Sequence, residues 1–194
     1  MAKRFAAFAL AAFVVSAGAF AEAQHRAGRY GAGIVTPNGF NWSVYAGRSK
    51  DKAHNYGGIG LSLKVPQLPL YWGLYFSFQP SWVRTWVKSD YYLVDTSFWD
   101  NGFARIGFFL GGGAYFGWGQ STAESASSLN IGLRVPIGIN AFLFDERVEA
   151  FFDMAPSIGL GLGYAFGDSR YHGEKVKGYL DGGIPFEIGV VVWF

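Results

Sequence analysis

The sequence contains no cysteine and has few charged residues. The absence of cysteine excludes a disulfide framework and a lipid-modified cysteine anchor. Charged residues make up 15% of the chain, against about 25% in typical soluble domains, while 51% of the residues are hydrophobic and 19% are aromatic. The net charge is only +2 and the basic residues are scattered, which argues against nucleic-acid binding.

Long uninterrupted hydrophobic runs are also missing beyond the N-terminal segment. A chain that is apolar overall but has no helix-length apolar run is typical of a transmembrane β-barrel, whose strands are apolar at alternate positions. We therefore expect residues 1–23 to be a cleaved signal peptide and residues 24–194 to form a single outer-membrane barrel domain.

The N-terminal segment has the parts of a secretory signal peptide. Lys3 and Arg4 precede an uncharged apolar stretch over residues 5–20, and an Ala-x-Ala cleavage motif follows at 21–23, with a second one at 19–21 as the alternative. A membrane anchor is the other interpretation. It is disfavoured because the apolar run is shorter than the roughly 18–20 residues that a spanning helix needs.

The C-terminal strand alternates between large apolar residues and small or polar ones. Phe194, Val192 and Val190 lie in the apolar set, whereas Glu187 and Gly189 lie in the other. The pattern resembles the closing strand of bacterial outer-membrane barrels, which commonly ends in a phenylalanine that the barrel assembly machinery is thought to read. We therefore predict an assembly signal at Phe194, Val192 and Val190.

Similar alternation runs through the second half of the chain, over residues 103–118, 129–143 and 147–162. Each run has about 14–16 residues, longer than the usual strand of about 5–6 residues but suited to tilted membrane strands with extensions into water. Bulges or strand ends are expected at Pro136, Pro156 and Pro185, because proline cannot donate to the ladder.

The strand count depends on the first half of the chain, where the pattern is less regular. Pro37-Asn38-Gly39 predicts a hairpin turn, and residues 48–55 predict a polar turn. Residues 66–89, within the ambiguous stretch 56–99, form either a strand extension with a loop or an additional hairpin. The fold class is therefore an all-β antiparallel up-and-down barrel of eight strands, with ten as the alternative; both counts are even.

Turns at opposite ends of the strands predict the orientation of the barrel. Tight turns at 100–102 and 144–146 are expected on the periplasmic side. Connections at 37–39, 119–128 and 163–182 are expected outside, the last being the longest and most charged.

Charged residues within the clearest strands all lie on the face opposite the apolar one. If the apolar face contacts lipid, they point into the lumen, where they must pair because an unpaired buried charge is far more costly. The predicted lumen charge cluster consists of Arg105, Arg134, Glu149, Asp153 and Glu187, with Asp95 as an added member.

Three interpretations of this cluster remain open. It forms a gate whose pairings exchange to pass small solutes, or a static core that fills a narrow eight-stranded barrel. In a soluble, lipocalin-like barrel the faces would be reversed, with the apolar set inside.

Signals for catalysis, metals or cofactors are weak. The three histidines show no metal-type spacing, and Ser169, His172 and Glu174 lie together in one predicted loop rather than converging from separate elements. We therefore expect no enzyme activity, no catalytic site, no metal and no cofactor. Trp99 and Trp193 are candidates for the aromatic girdles at the membrane interfaces.

Three segments resemble a family of small, uncharacterised spirochaete outer-membrane proteins: residues 31–39, 133–139 and 148–156. The second has that family's Arg-Val-Pro-hydrophobic-Gly strand and the third its acidic strand ending in Ala-Pro. This resemblance implies an outer-membrane barrel of unsettled function. The similarity to the outer-membrane protein W and A classes is an analogy of fold.

The leading functional prediction is a multi-pass outer-membrane barrel of the bacterial cell surface, either a narrow porin-like channel for small or apolar solutes or a structural membrane protein. The alternative is a surface adhesin or host-ligand receptor acting through residues 163–182, and a lipid-modifying enzyme is less favoured. Expected partners are outer-membrane lipid, the barrel assembly machinery and an extracellular ligand, with no nucleic acid and a monomeric state.

Overall fold

The computed structural model describes residues 28–45, 48–65, 70–121, 126–165 and 176–194. Within these ranges the chain forms eleven β-strands. The strands are β1 (Gly31–Tyr45), β2 (Arg48–Gly57), β3 (Ile59–Lys64), β4 (Tyr71–Gln79), β5 (Trp82–Asp100), β6 (Ala104–Ser121), β7 (Ala126–Arg134), β8 (Ile137–Leu143), β9 (Val148–Met154), β10 (Ser157–Ala165) and β11 (Val176–Trp193). The described part of the chain holds no helix long and apolar enough to cross a membrane. The predicted signal peptide, residues 1–23, lies outside the described residues.

The strands form one antiparallel sheet that closes on itself. β1 pairs with β11 along its whole length, from Gly31 opposite Trp193 to Tyr45 opposite Tyr179. On its other edge β1 pairs with β2 and β3, and the later strands pair with their neighbours in the ring. Because the first and last strands meet, the sheet has no open side along these pairings. The predicted all-β antiparallel barrel is confirmed.

The eleven segments make eight barrel strands, because three of those strands are each interrupted once. β2 and β3 both pair with β1, β7 and β8 both pair with β6, and β9 and β10 both pair with β11, so each pair of segments is one barrel strand. β6 pairs with Arg134 on one side of a gap and with Ile137 on the other, without a register shift. Pro136 and Pro156 lie in two of the gaps, where their missing N–H groups interrupt the ladder. Pro185, by contrast, lies inside β11 and pairs with Gly39 without a register shift, so the bulge or strand end predicted there is wrong. The count of eight is confirmed.

The hairpin predicted at residues 37–39 is wrong, because β1 continues straight through it. Pro37 pairs with Glu187 and Gly39 with Pro185 on one edge, and Asn38 pairs with Gly57 on the other. Long-range pairing on both edges therefore outweighs the local turn preference of Asn-Gly.

The polar turn predicted at residues 48–55 is likewise part of a strand, β2. The count stays at eight because β1 is one strand where two were predicted. Residues 66–89 form the additional hairpin and not the strand extension with a loop. They contribute β4 and the start of β5, which join at a turn over residues 80–81. The strand count therefore agrees with the sequence prediction, although two of its turns do not.

One end of the barrel carries the tight turns and the C terminus. Turns follow β5 at residues 101–103 and β8 at residues 144–147, as predicted. At the same end, the Tyr30 N–H donates to the Phe194 carbonyl and the Phe194 N–H to the Tyr30 carbonyl, both at 2.9 Å.

The connections at the opposite end are shorter than predicted. β6 extends to Ser121 and β7 begins at Ala126, so most of the predicted 119–128 loop is strand. β10 extends to Ala165 and β11 begins at Val176, so only residues 166–175 of the predicted 163–182 loop lie outside the described strands. Most of the charges assigned to that loop lie in this undescribed stretch.

The two faces of the sheet differ sharply in polarity. Large apolar side chains point outward, among them Ile34, Phe116 and Leu133, the last of which is 67% exposed. Polar and charged side chains alternate with them and are buried in the lumen. Trp99 is 45% exposed, but Trp193 is only 3% exposed. The girdle role predicted for Trp193 is therefore wrong, because this residue shares the inward face with Glu187.

Candidate functional site in the barrel lumen

Five charged side chains meet inside the barrel, and we call this group the ion plug. Lys88 and Asp90 come from β5, Arg134 from β7, Asp153 from β9 and Glu187 from β11. Each of the five side chains is at most 5% exposed. The plug therefore lies away from solvent, where charges interact more strongly than in water.

Strand register explains why these residues meet. Gly113 of β6 pairs with Asp90 on one edge and with Arg134 on the other. A Cβ at Gly113 would collide with the Asp90 carboxylate, so glycine at this position allows Asp90 to reach across β6. On the other side of the plug, Glu187 pairs directly with Asp153. Cross-strand neighbours of this kind are close enough for their side chains to interact.

Arg134 is the centre of the ion plug. Its Nη1 donates to Glu187 Oε1 at 2.8 Å, its Nε lies 3.2 Å from Asp90 Oδ1, and its Nη2 lies 3.8 Å from Asp153 Oδ1. Lys88 bridges two of the same carboxylates, because Nζ donates to Glu187 Oε2 and lies 3.3 Å from Asp90 Oδ2. The two cations thus link all three carboxylates.

Tyr75 of β4 extends the plug across the lumen. The side chain is completely buried, and its hydroxyl donates to Glu187 Oε2 at 2.8 Å. Its ring lies 5.3 Å from Lys88 Nζ and stacks on Trp86 at 5.2 Å between centroids. With Tyr75 included, side chains from five of the eight barrel strands meet at this level, so the plug obstructs the lumen.

The charges of the plug do not balance. Two cations face three carboxylates, and Asp153 is the least compensated of the three. Its nearest cationic contact is the 3.8 Å approach of Arg134, and neither of its carboxylate oxygens has a hydrogen-bond partner among the described residues. A buried carboxylate without close donors costs free energy, so Asp153 is the weak point of the plug.

A polar cavity lies between the plug and the barrel end opposite the C terminus, and we call it the vestibule. Its volume is about 70 Å³. Arg134 and Glu187 form its floor, and its walls include Arg84, Trp86, Tyr115, Asn130 and Asp181. The Tyr115 hydroxyl donates to Asp181 Oδ2 at 3.1 Å, and Asn130 Nδ2 donates to the same oxygen at 3.4 Å.

A separate polar group lies toward the end with the C terminus. Glu149 accepts hydrogen bonds from Asn140 Nδ2 at 3.1 Å and from Trp193 Nε1 at 3.0 Å. Trp193 packs in a small apolar core with Phe142 and Val191. This group therefore ties the last residues of β11 to the barrel interior.

Of the five charges predicted to meet, the structure brings together Arg134, Asp153 and Glu187. Glu149 does not join them, because it lies four residues before Asp153 on the same barrel strand, about 13 Å away at the usual strand rise. Arg105 does not join them either. It pairs with Glu146 at 2.8 Å, near the turn after β8, and Glu146 also lies 3.5 Å from Arg29.

Sequence reasoning missed Lys88, Asp90 and Tyr75, which lie in or beside the stretch where the strand register was ambiguous. A usable signal was present, because Trp86, Lys88 and Asp90 occupy every second position and must share one face of a strand. Asp95, the predicted added member, is buried further along β5, beyond a register shift between Tyr92 and Val94.

The predicted assembly signal lies on the outward face. Phe194 is 70% exposed, Val192 48% and Val190 49%. The three side chains therefore form part of the apolar outer surface of the closing strand. Their role in assembly stays a prediction.

Catalytic and metal chemistry has little support in the described residues. They contain no group of three or more His, Cys, Asp or Glu side chains that could hold a metal ion. The loop residues considered for catalysis, Ser169, His172 and Glu174, lie outside the described residues. The prediction that the protein is not an enzyme stays a prediction.

Three solved structures show loose similarity to this fold. Ail, the attachment invasion locus protein of Yersinia pestis, is 18% identical over 86% of this chain and 99% of that chain, with a TM-score of 0.35. Neisserial surface protein A is 13% identical over 85% and 96%, with a TM-score of 0.35. A major outer membrane protein from Thermus thermophilus is 13% identical over 85% and 99%, with a TM-score of 0.39. The fold assignment above therefore depends on the strand pairing of this chain itself.

A search of curated proteins finds no match to the chain. A family model described as "Protein of unknown function (DUF3996)" matches residues 56–186, which is more than half of the chain. The matched range includes four members of the ion plug and ends one residue before Glu187. The spirochaete source suggested by the sequence resemblance stays a prediction. On the extent of this match, the chain belongs to the family of unknown function DUF3996.

Proposed function

We propose that this protein spans a bacterial outer membrane as a monomeric barrel whose lumen is closed by the ion plug. The apolar outer face supports a membrane location. Exposed side chains such as Ile131, Leu133 and Leu160 are each more than 60% exposed, and contiguous apolar surface of this kind is unfavourable in water. An Arg or Lys side chain on the lipid face at mid-membrane would cost about 2–4 kcal/mol.

The positions of the charged residues in the described strands also fit a membrane location. Among strand residues with described side chains, charged groups are buried or half-buried, apart from Asp100 at the very end of β5. In this orientation the turns at 101–103 and 144–147 face the periplasm, and the vestibule opens to the outside. Phe194, Val192 and Val190 then present an outward apolar edge to the barrel assembly machinery.

One observation supports the closed lumen: side chains from five of the eight barrel strands meet at the plug. Glu187 of β11 pairs with Lys88 of β5 and with Arg134 of β7, and Arg134 also pairs with Asp90 of β5. An open porin keeps a water-filled channel, whereas this lumen is occupied by ion pairs. We therefore favour a structural barrel that does not conduct at rest over a permanently open pore.

A gated channel for small solutes is the second candidate, and the vestibule favours it. Because Arg134 and Glu187 form the vestibule floor, a solute entering from outside would touch the ion pair that closes the lumen. The surface-receptor alternative now concerns residues 166–175, since the rest of the predicted 163–182 loop is strand.

Two measurements on the refolded protein test these functions. Heat-modifiable gel migration tests the barrel, and absence of a shift would count against it. In a planar bilayer we expect the unaltered protein to show no steady conductance. A stable open pore in the unaltered protein would overturn the closed lumen.

The Arg134→Ala variant separates the two candidates, with Arg105→Ala as the matched control at the terminus end of the lumen. Conducting steps in Arg134→Ala alone would favour the gated channel, because only that variant removes the centre of the plug. Absence of conductance in both variants would favour the structural barrel.

A further inference from the structure

The vestibule contains two opposite charges that are not paired with each other. Arg84 and Asp181 both line it. Within the described residues neither side chain makes an ion pair within 4.0 Å, although seven such pairs occur elsewhere in the described structure. In the same part of the chain the Arg84 Nε is buried without a hydrogen-bond partner, and its guanidinium lies 5.6 Å from the Trp82 ring. The wall therefore offers an unused donor on one side.

Asp181 is held in position by neutral groups. The side chain is 5% exposed, and Oδ2 accepts hydrogen bonds from Tyr115 and Asn130. Asn130 is fixed in turn by a hydrogen bond from the Tyr179 hydroxyl to its Oδ1. These donors orient the carboxylate but bring no positive charge, so its charge remains available to a cationic ligand.

The size and lining of the vestibule limit what it can hold. A volume of about 70 Å³ is several times the roughly 10–15 Å³ that a cavity needs to hold one water molecule, which suits a ligand of a few heavy atoms. Trp86 and Tyr115 also line the cavity, and aromatic rings attract an ammonium group. A ligand with one charge would leave either Arg84 or Asp181 without a partner.

We propose that the vestibule binds a small zwitterion of the amino-acid class, with its carboxylate on Arg84 and its ammonium on Asp181. A simple anion would face Asp181 and Glu187, and a simple cation would face Arg84 and Arg134. A zwitterion gives both Arg84 and Asp181 a partner of opposite charge without adding net charge to the lumen. This proposal goes beyond the closed-lumen barrel and does not depend on conductance.

The test is isothermal titration calorimetry on the full refolded chain in detergent, with glycine, acetate and methylamine as probes. Glycine is expected to bind saturably, and acetate and methylamine at least tenfold more weakly. Arg84→Gln and Asp181→Asn should each weaken glycine binding at least tenfold. Arg105→Gln is the matched control, because Arg105 lies near the opposite end of the lumen and pairs with Glu146; it should bind glycine like the unaltered protein.

Each other outcome overturns the proposal. Acetate binding as tightly as glycine would indicate an anion site, and equal methylamine binding would indicate a cation site. Absence of saturable glycine binding, or an equal loss in Arg105→Gln, would also contradict it. Variants are compared only after heat-modifiable migration shows that they fold. Arg84→Lys should then recover part of the binding lost in Arg84→Gln, since it restores the positive charge.

Discussion

The ion plug and the vestibule are neighbouring parts of one lumen, but they accommodate charge in opposite ways. In the plug, Arg134 approaches three carboxylates and Lys88 approaches two. In the vestibule, Arg84 and Asp181 line one cavity without forming an ion pair. Buried charges pair across the lumen where the strands bring complementary groups to the same height. Where the partners lie farther apart, a polar cavity remains.

The largest expected effect is the loss of Arg134. Arg134→Met should lower the free energy of unfolding by about 3–5 kcal/mol, because it leaves three buried carboxylates with Lys88 alone. Urea unfolding of the refolded protein, followed by tryptophan fluorescence, measures the change. Arg84→Met is the matched control and should change stability by less than about 1 kcal/mol. Similar losses in both variants would remove the distinction between plug and vestibule.

Glu187→Gln should have the next largest effect, a loss of about 2–4 kcal/mol. Glu187 accepts hydrogen bonds from Lys88, Arg134 and Tyr75, and charge-assisted bonds of this kind are stronger than neutral ones. The same unfolding measurement applies. Glu146→Gln, on a partly exposed pair with Arg105, should lose no more than about 1 kcal/mol. A smaller loss for Glu187 than for Glu146 would contradict the central position of Glu187.

Gly132→Ala tests the vestibule wall and should cost about 1–3 kcal/mol. A Cβ at Gly132 would lie 2.5 Å from the Ile158 carbonyl oxygen and 2.6 Å from the Tyr115 ring. Relieving the clash must move Tyr115, a residue that lines the vestibule. Gly112→Ala is the control, because a Cβ there meets nothing within 4 Å. In thermal unfolding, Gly132→Ala should have a lower midpoint than Gly112→Ala. Equal midpoints would show that the residues around Gly132 accommodate the added methyl group without strain.

Asp153→Asn should have the smallest effect and the opposite sign, a gain in stability of up to about 1 kcal/mol. The substitution removes the surplus negative charge from a cluster of two cations and three carboxylates, and the new amide can donate to the neighbouring Glu187. Urea unfolding of the Asp153→Asn and Glu187→Gln variants measures the two changes in stability for comparison. A loss as large as that of Glu187→Gln would mean that the plug needs all three negative charges.

The prediction of the faces succeeded because a two-residue period is a local property of the chain. Arg134, Asp153 and Glu187 could be assigned to the lumen by counting alternate positions. Their meeting was harder to predict, because contact also requires equal height along the barrel axis. Glu149 shares the correct face, yet it lies two lumen positions away from Asp153. Knowing the face of a residue therefore does not tell whether it meets the plug or lies at another height in the lumen.

Turn preferences misled the prediction where long-range pairing was available. The Asn38-Gly39 pair has the composition of a hairpin turn, but β1 finds partners on both edges through this segment. Lys88 and Asp90 were missed for a related reason, because the register of β4 and β5 could not be read without their partners. The sequence pattern alone could not show which neighbours each strand would find.

The sequence by itself determined the class of architecture, an even strand count with eight favoured over ten, and the face on which each clear strand carries its charges. These follow from alternation and chain length, which need no information about neighbours. Only the tertiary structure decided which charges meet, that Tyr75 and Lys88 join them, and that Arg84 and Asp181 stay apart. The physical reason is stagger: closing the sheet fixes how far each strand is shifted along its neighbour, and that shift sets the height of every side chain in the lumen.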